Sequence, residues 1–441
     1  MISALPWPSF PVMHHNTQKG GNMSGFDLRH SRRAVLGGLS AGVAGLALGH
    51  GTAAQSATPV AAASPLAPIT ATPDDIAAVL EEAMAKYHMM AGIARVVVDG
   101  REVATVARGE SMNGVPATAE MHFRNGAVAI SYISTALLVL VDRGVVTLED
   151  TLGTWLPDLP EADKVTLKML ANLTAGYTDY VNTPGFVEMN YLNAFRSWTP
   201  EEIIEVSLKY GRPFAPGENW AYSHTDYVIL GLALEKISGK PLADLLRELV
   251  LDPLGLVNTV SWNTPYIPPP VLHAYSAERK ATLKIPDNIP FFEESTFWDP
   301  SWTLAHGAIQ TTNIYDMTAS AIGIGEGVLL SPASYAAQMS RELVGFGHKQ
   351  DGCATCMALT ERATYGLGIW LVGDWQLQNP LFAGFGSTMA YLPSRRVGIA
   401  AIMTPTPEAF DDKGNYLVFN PSQNLVSNIA AVLTPDSPIP V

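Results

Sequence analysis

From Asp74 to His88, apolar residues fall at Ile76, Val79, Leu80, Ala83 and Met84, the spacing of a helix that buries one face. The runs Ile93 to Val98 and Glu102 to Ala107 are rich in strand-forming residues and flank Asp99-Gly100, which predicts a hairpin closed by a tight turn. Ala127 to Val141 is apolar on every side and stops at Asp142-Arg143-Gly144, a buried helix ended by glycine. From Val165 to about Leu330, helical segments alternate with loops rich in proline and aromatic residues. Tyr365 to Val372, Ser387 to Leu392 and Val397 to Met403 predict three strands, and Asn420 to Leu433 a closing helix. Strands near both ends with helices between them predict an α+β fold. The terminal strands share one antiparallel sheet flanked by helices, and a mainly helical subdomain is inserted between them.

The first 73 residues stand outside this pattern. Ser31-Arg32-Arg33 runs straight into an apolar stretch from Ala34 to Leu48, followed by the small residues Thr52-Ala53-Ala54. Charge, apolar run and small residues in that order predict a twin-arginine export signal over 1–54, with Met23 as an alternative start. The stretch is too short and too rich in Gly and Ala for a bilayer span, which needs about 20 strongly apolar residues, so no stable membrane anchor is expected. Residues 55–73 read as a disordered Pro/Ala/Ser/Thr tether, leaving 74–441 as the folded domain. The expected location is periplasmic or extracellular.

Charge narrows the partners. With 27 basic against 41 acidic residues, the chain carries a formal charge of −14, and such a surface repels phosphate backbones. No nucleic acid partner is expected, and no cofactor. The only cysteines, Cys353 and Cys356, lie in a Gly-containing loop after His348. A loop-closing disulfide, a redox pair and a metal site with His348 are the three readings. The metal site lacks a visible fourth ligand, and a redox pair usually opens a helix after a strand, so the disulfide is favoured and no metal is expected.

Two short motifs mislead. Gly38-Leu39-Ser40-Ala41-Gly42 has the spacing of a nucleophile elbow but lies within the export signal, and Gly323-Ile324-Gly325-Glu326-Gly327 lacks a dinucleotide-binding context. The informative segments are others. Phe123-Arg124-Asn125-Gly126-Ala127-Val128-Ala129-Ile130-Ser131 precedes the long apolar helix. Val165 to Gly176 reads Val-Thr-Leu-Lys-Met-Leu through Leu-Thr-Ala-Gly. Phe214-Ala215-Pro216-Gly217 leads to Tyr222-Ser223-His224 and Leu230-Gly231, and Gly384-Phe385 precedes Ala390-Tyr391-Leu392-Pro393. Taken in order over roughly 75 to 435, this resembles the serine β-lactamase and penicillin-binding-protein family, in the branch of class C enzymes, D-Ala-D-Ala carboxypeptidases and related esterases.

The resemblance implies a Ser-x-x-Lys pair opening the long helix. Three-residue spacing stacks the two side chains one turn apart, and the helix N-terminus favours negative charge on the attacking oxygen. Here the serine position falls on Ala127 and the lysine position on Ile130. Alanine has no oxygen to acylate, and isoleucine accepts no proton. Sliding the register to Ser131 puts Ser134 at the lysine position. In a serine protease, loss of the nucleophile costs about a millionfold in turnover.

The resemblance further implies that Tyr222 stands at an acid/base tyrosine, with His224 replacing the usual asparagine, so Tyr222 and His224 are the candidate proton-handling residues. Asn125, Ala127, Ser223 and Gly384 are the expected cleft residues, and the Ala127 N–H an expected oxyanion donor. A cationic strand residue that would hold a substrate carboxylate is missing, since no Lys, Arg or His occurs from Gly366 to Ser394. Phe291, Phe292, Phe297, Trp298 and Trp302 either line a groove beside that cleft or pack loops on the core. The sequence therefore predicts an exported, non-catalytic family member that binds a cell-wall peptide, a small acyl compound or a protein partner. The alternative is a hydrolase of esterase, β-lactamase or peptidase type working through Tyr222 and His224, and a third reading is a structural domain whose cleft has closed.

Overall fold

The structure, a computed structural model, describes residues 68–304 and 307–440. The expected export signal and most of the expected tether lie outside these residues. The fold begins slightly earlier than the pattern placed it. Ile69 and Ala71 pack against the core, and Thr72 caps helix α1 (Pro73–Tyr87) in a reciprocal capping box with Asp75.

The hairpin forms as the sequence predicts, but its strands are longer. β1 (Met89–Val98) and β2 (Arg101–Met112) meet at Asp99-Gly100, both with positive φ, the backbone a two-residue turn of this hand demands. β3 (Val115–Pro116) extends the edge. Helix α2 (Val128–Asp142) follows, then a helical insertion that includes α3 (His224–Ser238) and α4 (Ile314–Gly325). The C-terminal part returns to the sheet through β4 (Ala363–Tyr365), β5 (Trp370–Val372), β6 (Trp375–Gln378), β7 (Leu381–Phe382), β8 (Phe385–Leu392) and β9 (Val397–Pro405), and ends in α5 (Pro421–Leu433).

These strands build one nine-stranded antiparallel sheet in the order β3-β2-β1-β9-β8-β6-β5-β4, with β7 paired to β8. The join between the chain's two ends is the β1–β9 pairing, Ile93 opposite Ile402. α1 and α5 pack on one face and α4 on the other. An α+β fold with a sheet drawn from both ends and a helical insertion is what the pattern anticipated.

One expected strand is two. Tyr365 to Val372 is broken by Gly366-Leu367-Gly368 into the β4–β5 hairpin, with Tyr365 opposite Trp370. The apolar run reads as continuous because residues on both sides of the turn are buried: Tyr365, Leu367, Trp370 and Leu371 all belong to the interior. Gly368 sits at φ +74 with the turn pressed onto α2; a Cβ there would lie 2.4 Å from Ser134 Oγ and 3.0 Å from the Ile130 carbonyl oxygen. Only glycine allows that approach.

Candidate functional site

α2 is buried around its whole circumference from Val128 to Leu140. Its mouth is formed by Asn125-Gly126-Ala127, where Ala127 is the N-cap residue and no side chain caps the helix. The first turn closes tightly instead, with the N–H groups of Val128, Ala129 and Ile130 donating to the carbonyls of Asn125, Gly126 and Ala127 at 3.2, 3.1 and 3.1 Å. Among the described residues no acceptor is bonded to the Ala127 N–H. One turn in, Ile130 is completely buried. Ser131 and Ser134 are completely buried as well, and their hydroxyls bond the Val128 carbonyl and the Tyr227 hydroxyl. Ala127, half-buried, is therefore the residue at the helix mouth that meets solvent, and it presents a methyl group.

Three of the four expected cleft residues are committed to structure. Asn125 exchanges three hydrogen bonds with Gln310: its Nδ2 donates to Oε1 at 2.7 Å, its N–H to the carbonyl at 3.1 Å, and its Oδ1 accepts from the Gln310 N–H at 3.0 Å. Ser223 caps α3, accepting from the Asp226 N–H at 3.2 Å while donating to the Tyr177 carbonyl at 3.1 Å. Gly384 sits at φ +93, where a Cβ would lie 2.3 Å from the Tyr275 carbonyl oxygen, so its role is the β7–β8 turn. The sequence pattern gave no sign that the Asn125 and Ser223 side chains are already used by Gln310, Asp226 and Tyr177.

The mouth of α3 differs. Its first residue, His224, directs Nδ1 at the Asp179 carboxylate, 3.2 and 3.3 Å from the two oxygens, and donates its backbone N–H to the same carboxylate at 3.1 Å. The Asp179 side chain is only 2% exposed against 22% for His224. It also accepts from the Val181 N–H at 3.3 Å and from Asn182 Nδ2 at 2.9 Å. A carboxylate accepting from Nδ1–H fixes the imidazole tautomer with its lone pair on Nε2, the state a general base needs. Asp179 carries no motif and lies 45 residues from His224, so sequence spacing gave no reason to join them.

Tyr222 meets the His224 ring edge-on at 5.2 Å and stacks on Trp370 at 6.5 Å, with Tyr365 at its edge. Burial first, then the neighbouring Tyr365 and Asp179, push its phenol well above the ordinary tyrosine value. Tyr222 thus stays protonated across the physiological range.

Rings connect the two helix mouths. Phe382 lies beside Gly126, its Cβ 3.8 Å from where a Gly126 Cβ would stand, and stacks on Trp302 at 5.3 Å. Trp302 meets Phe186 at 5.0 Å, Phe186 meets Tyr180 at 6.5 Å, and Tyr180 meets His224 at 6.1 Å. Of the aromatics expected at a groove, Trp302 belongs to this chain. Trp298 is fully buried, Phe292 stacks on Tyr275 away from it, and Phe297 is 41% exposed against His273. Beside Gly126 the strand segment carries Pro380, which has no N–H to offer a ligand, and Gln378 turns inward to the Gly368 carbonyl at 2.6 Å. Among the described residues, no group of three or more His, Cys, Asp or Glu side chains is placed to hold a metal ion. Cys353 and Cys356 are joined, Sγ to Sγ, at 2.01 Å. No described helix is long and apolar enough to cross a membrane.

The model of the family described as β-lactamase matches residues 76–420. Penicillin-binding protein 4* of Bacillus subtilis (strain 168) is 28% identical over 153 residues, covering 34% of this chain and 33% of that protein. A putative D-alanyl-D-alanine carboxypeptidase of Escherichia coli (strain K12) is 22% identical over 289 residues, 61% of this chain and 63% of the relative. The matched regions thus span between a third and just under two thirds of these relatives. Among solved structures, the D-amino acid amidase from Ochrobactrum anthropi SV3 complexed with D-phenylalanine superposes with a TM-score of 0.67 at 22% identity, covering 81% of this chain and 97% of that one. A likeness at that identity speaks for the fold.

Proposed function

This chain belongs to the β-lactamase family, and from that premise we propose that it is a member without acyl-transfer activity, exported by the twin-arginine route, whose cleft binds a cell-wall peptide or a small acyl compound. The observation that carries the reading is the mouth of α2: a methyl group at Ala127 and a completely buried isoleucine one turn further in. A serine there would attack and a lysine would take its proton; neither function has a substitute on that helix, because Ser131 and Ser134 are sealed in the core. Recognition features remain. The Ala127 N–H is available to a carbonyl oxygen, and the half-buried His224 offers a polar group at the other helix mouth. With no cation on the 366–394 segment, a ligand held through a free carboxylate fits less well than a neutral acyl or peptide group.

Incubation with a fluorescent penicillin followed by a denaturing gel tests the claim. No covalent band is expected, while peptidoglycan fragments raise the melting temperature progressively as their concentration passes the dissociation constant. A covalent band that disappears on substitution of a single residue would overturn it.

A second reading is favoured by the His224–Asp179 bond. With Nε2 as base and Tyr222 as proton donor, His224 would activate a water against an ester or amide carbonyl held at the Ala127 N–H, with no acyl-enzyme. It requires turnover of activated esters that His224→Ala abolishes at unchanged melting temperature. A broad ester panel without turnover rules it out.

A further inference from the structure

The disulfide lies in a loop that is fastened to the strand leading into the His224 turn. Cys356 pairs as an isolated β-bridge with Ala221, and the Met357 N–H donates to the Trp220 carbonyl at 3.4 Å. Upstream in the same loop, the His348 N–H donates to Asn219 Oδ1 at 2.9 Å, Asn219 Nδ2 returns to the His348 carbonyl at 3.2 Å, and Gln350 bonds the Pro213 carbonyl. Gly347, at φ +82, lets the loop approach so closely that a Cβ would lie 2.3 Å from the Met357 carbonyl oxygen. The fastened segment, Asn219 to Ala221, runs directly into Tyr222-Ser223-His224.

Two features separate this bond from an inert staple. It closes a loop with a sequence separation of only 3, and so short a loop removes little entropy from the unfolded chain, so global stability gains little from it. The two cysteines also differ in depth, although Cys353 packs against the same small cluster as Cys356. Cys353 is half-buried at the surface, whereas Cys356 is 5% exposed and packs with Phe214 and Ala221 in a small apolar cluster apart from the main core.

We propose that Cys353–Cys356 is a thiol–disulfide exchange site for a dithiol protein, and that its reduction releases the Asn219–His224 segment from the loop. A thiolate of the partner attacks the accessible Cys353 Sγ. The bond to Cys356 breaks, a mixed disulfide forms on Cys353, and Cys356 leaves as a thiolate that takes up a proton. The partner's second thiol then attacks the mixed disulfide and frees Cys353, so two electrons and two protons pass from the dithiol to the disulfide. A thiolate is poorly accommodated among Phe214 and Ala221, so departure is easiest when Cys356 leaves that cluster and its bridge to Ala221 opens. Cleavage and loosening are in this way one event. The consequence for ligand binding rests on the reading of the cleft given above; the exchange and the loosening do not.

The test uses the full chain and no ligand, so a failed binding assay leaves it unaffected. Dithiothreitol is titrated, free thiols are alkylated and located by mass spectrometry, far-UV circular dichroism reports the fold, and the rate of diethyl pyrocarbonate modification at His224 reports the turn, with His224→Gln identifying that site. Both cysteines are expected to become alkylated with circular dichroism unchanged and the His224 rate raised by at least about fivefold, the size of a modest coupling between sites. The Cys353→Ser/Cys356→Ser double variant should show the raised rate without reductant and no response to it. Thiols that appear only in the unfolding transition, or a reduced protein whose His224 rate is unchanged, overturn the proposal. Both outcomes are read on the wild type even if the double variant does not fold.

Discussion

The mouths of the two helices differ in character. At α2 the residues are apolar: Ala127 is half-buried at the mouth, and every residue from Val128 to Leu140 is buried. At α3 there is a polar network: Ser223 caps the helix, Asp179 receives four donors from three residues, and the His224 side chain is 22% exposed. A buried charged pair is costly unless every partner is present. The α2 interior is filled by the apolar Ile130, whereas at α3 the Asp179 carboxylate has donors from His224, Val181 and Asn182.

The sharpest way to break this contrast is to return charge to α2. Ile130→Lys is expected to destabilise the fold by on the order of 4 kcal/mol, seen as a lower urea midpoint, because the site is completely buried and offers no counter-ion. Ala127→Ser with Ile130→Lys is expected to turn over nitrocefin no faster than the wild type, since the cationic strand residue is missing too; turnover near that of a working relative would contradict it.

At the other mouth, Asp179→Ala should cost about 2–3 kcal/mol, because the Val181 N–H, the His224 N–H, Asn182 Nδ2 and His224 Nδ1 all lose their acceptor. The His224 resonances should shift in the same variant; unchanged resonances would mean that Asp179 does not orient the ring.

Asp226, on the first turn of α3, gives a pH-dependent test. Its carboxyl is completely buried, and that burial, outweighing the opposing effects of Ser223, Arg212 and Ala175, holds it well above the usual carboxylate range. The folded state therefore keeps a proton that the unfolded chain releases above about pH 4, and the associated stability is complete below that value and is lost as pH rises toward the folded-state pKa. Asp226→Asn should stabilise the protein by roughly 1 kcal/mol at pH 8 and by almost nothing at pH 4. An equal gain at both pH values would show that the carboxyl is not the cause.

The smallest effect is expected where the two mouths come nearest in character. Ala127→Ser places a hydroxyl at a half-buried N-cap whose backbone is helical rather than extended, so it should change stability by less than about 0.5 kcal/mol. It should not create a penicillin-labelled band.

What the sequence disclosed follows the same division. The α1 and α2 periodicities, the Asp99-Gly100 turn and the terminal strands were legible because each is a local pattern tied to burial. The β4–β5 hairpin was not, since Gly366 and Gly368 lie inside an apolar run and their spacing has meaning only against Ser134 and Ile130. At the site, the burial of Ile130 at the start of a long apolar helix was legible from the pattern. Asp179 was not, and neither was the commitment of Asn125 to Gln310 across 185 residues, because such pairings are made by the fold and leave no spacing rule in the chain.

Gly368 gives that division a mechanical meaning. The turn it belongs to rests on α2, and two residues on, the same hairpin carries Trp370, the ring stacked on Tyr222. A single hydrogen atom thus serves as the spacer between the buried helix and the floor of the polar turn. Any larger residue at that point would tilt the floor, so α2 works as the foundation on which Tyr222 and its neighbour His224 are levelled.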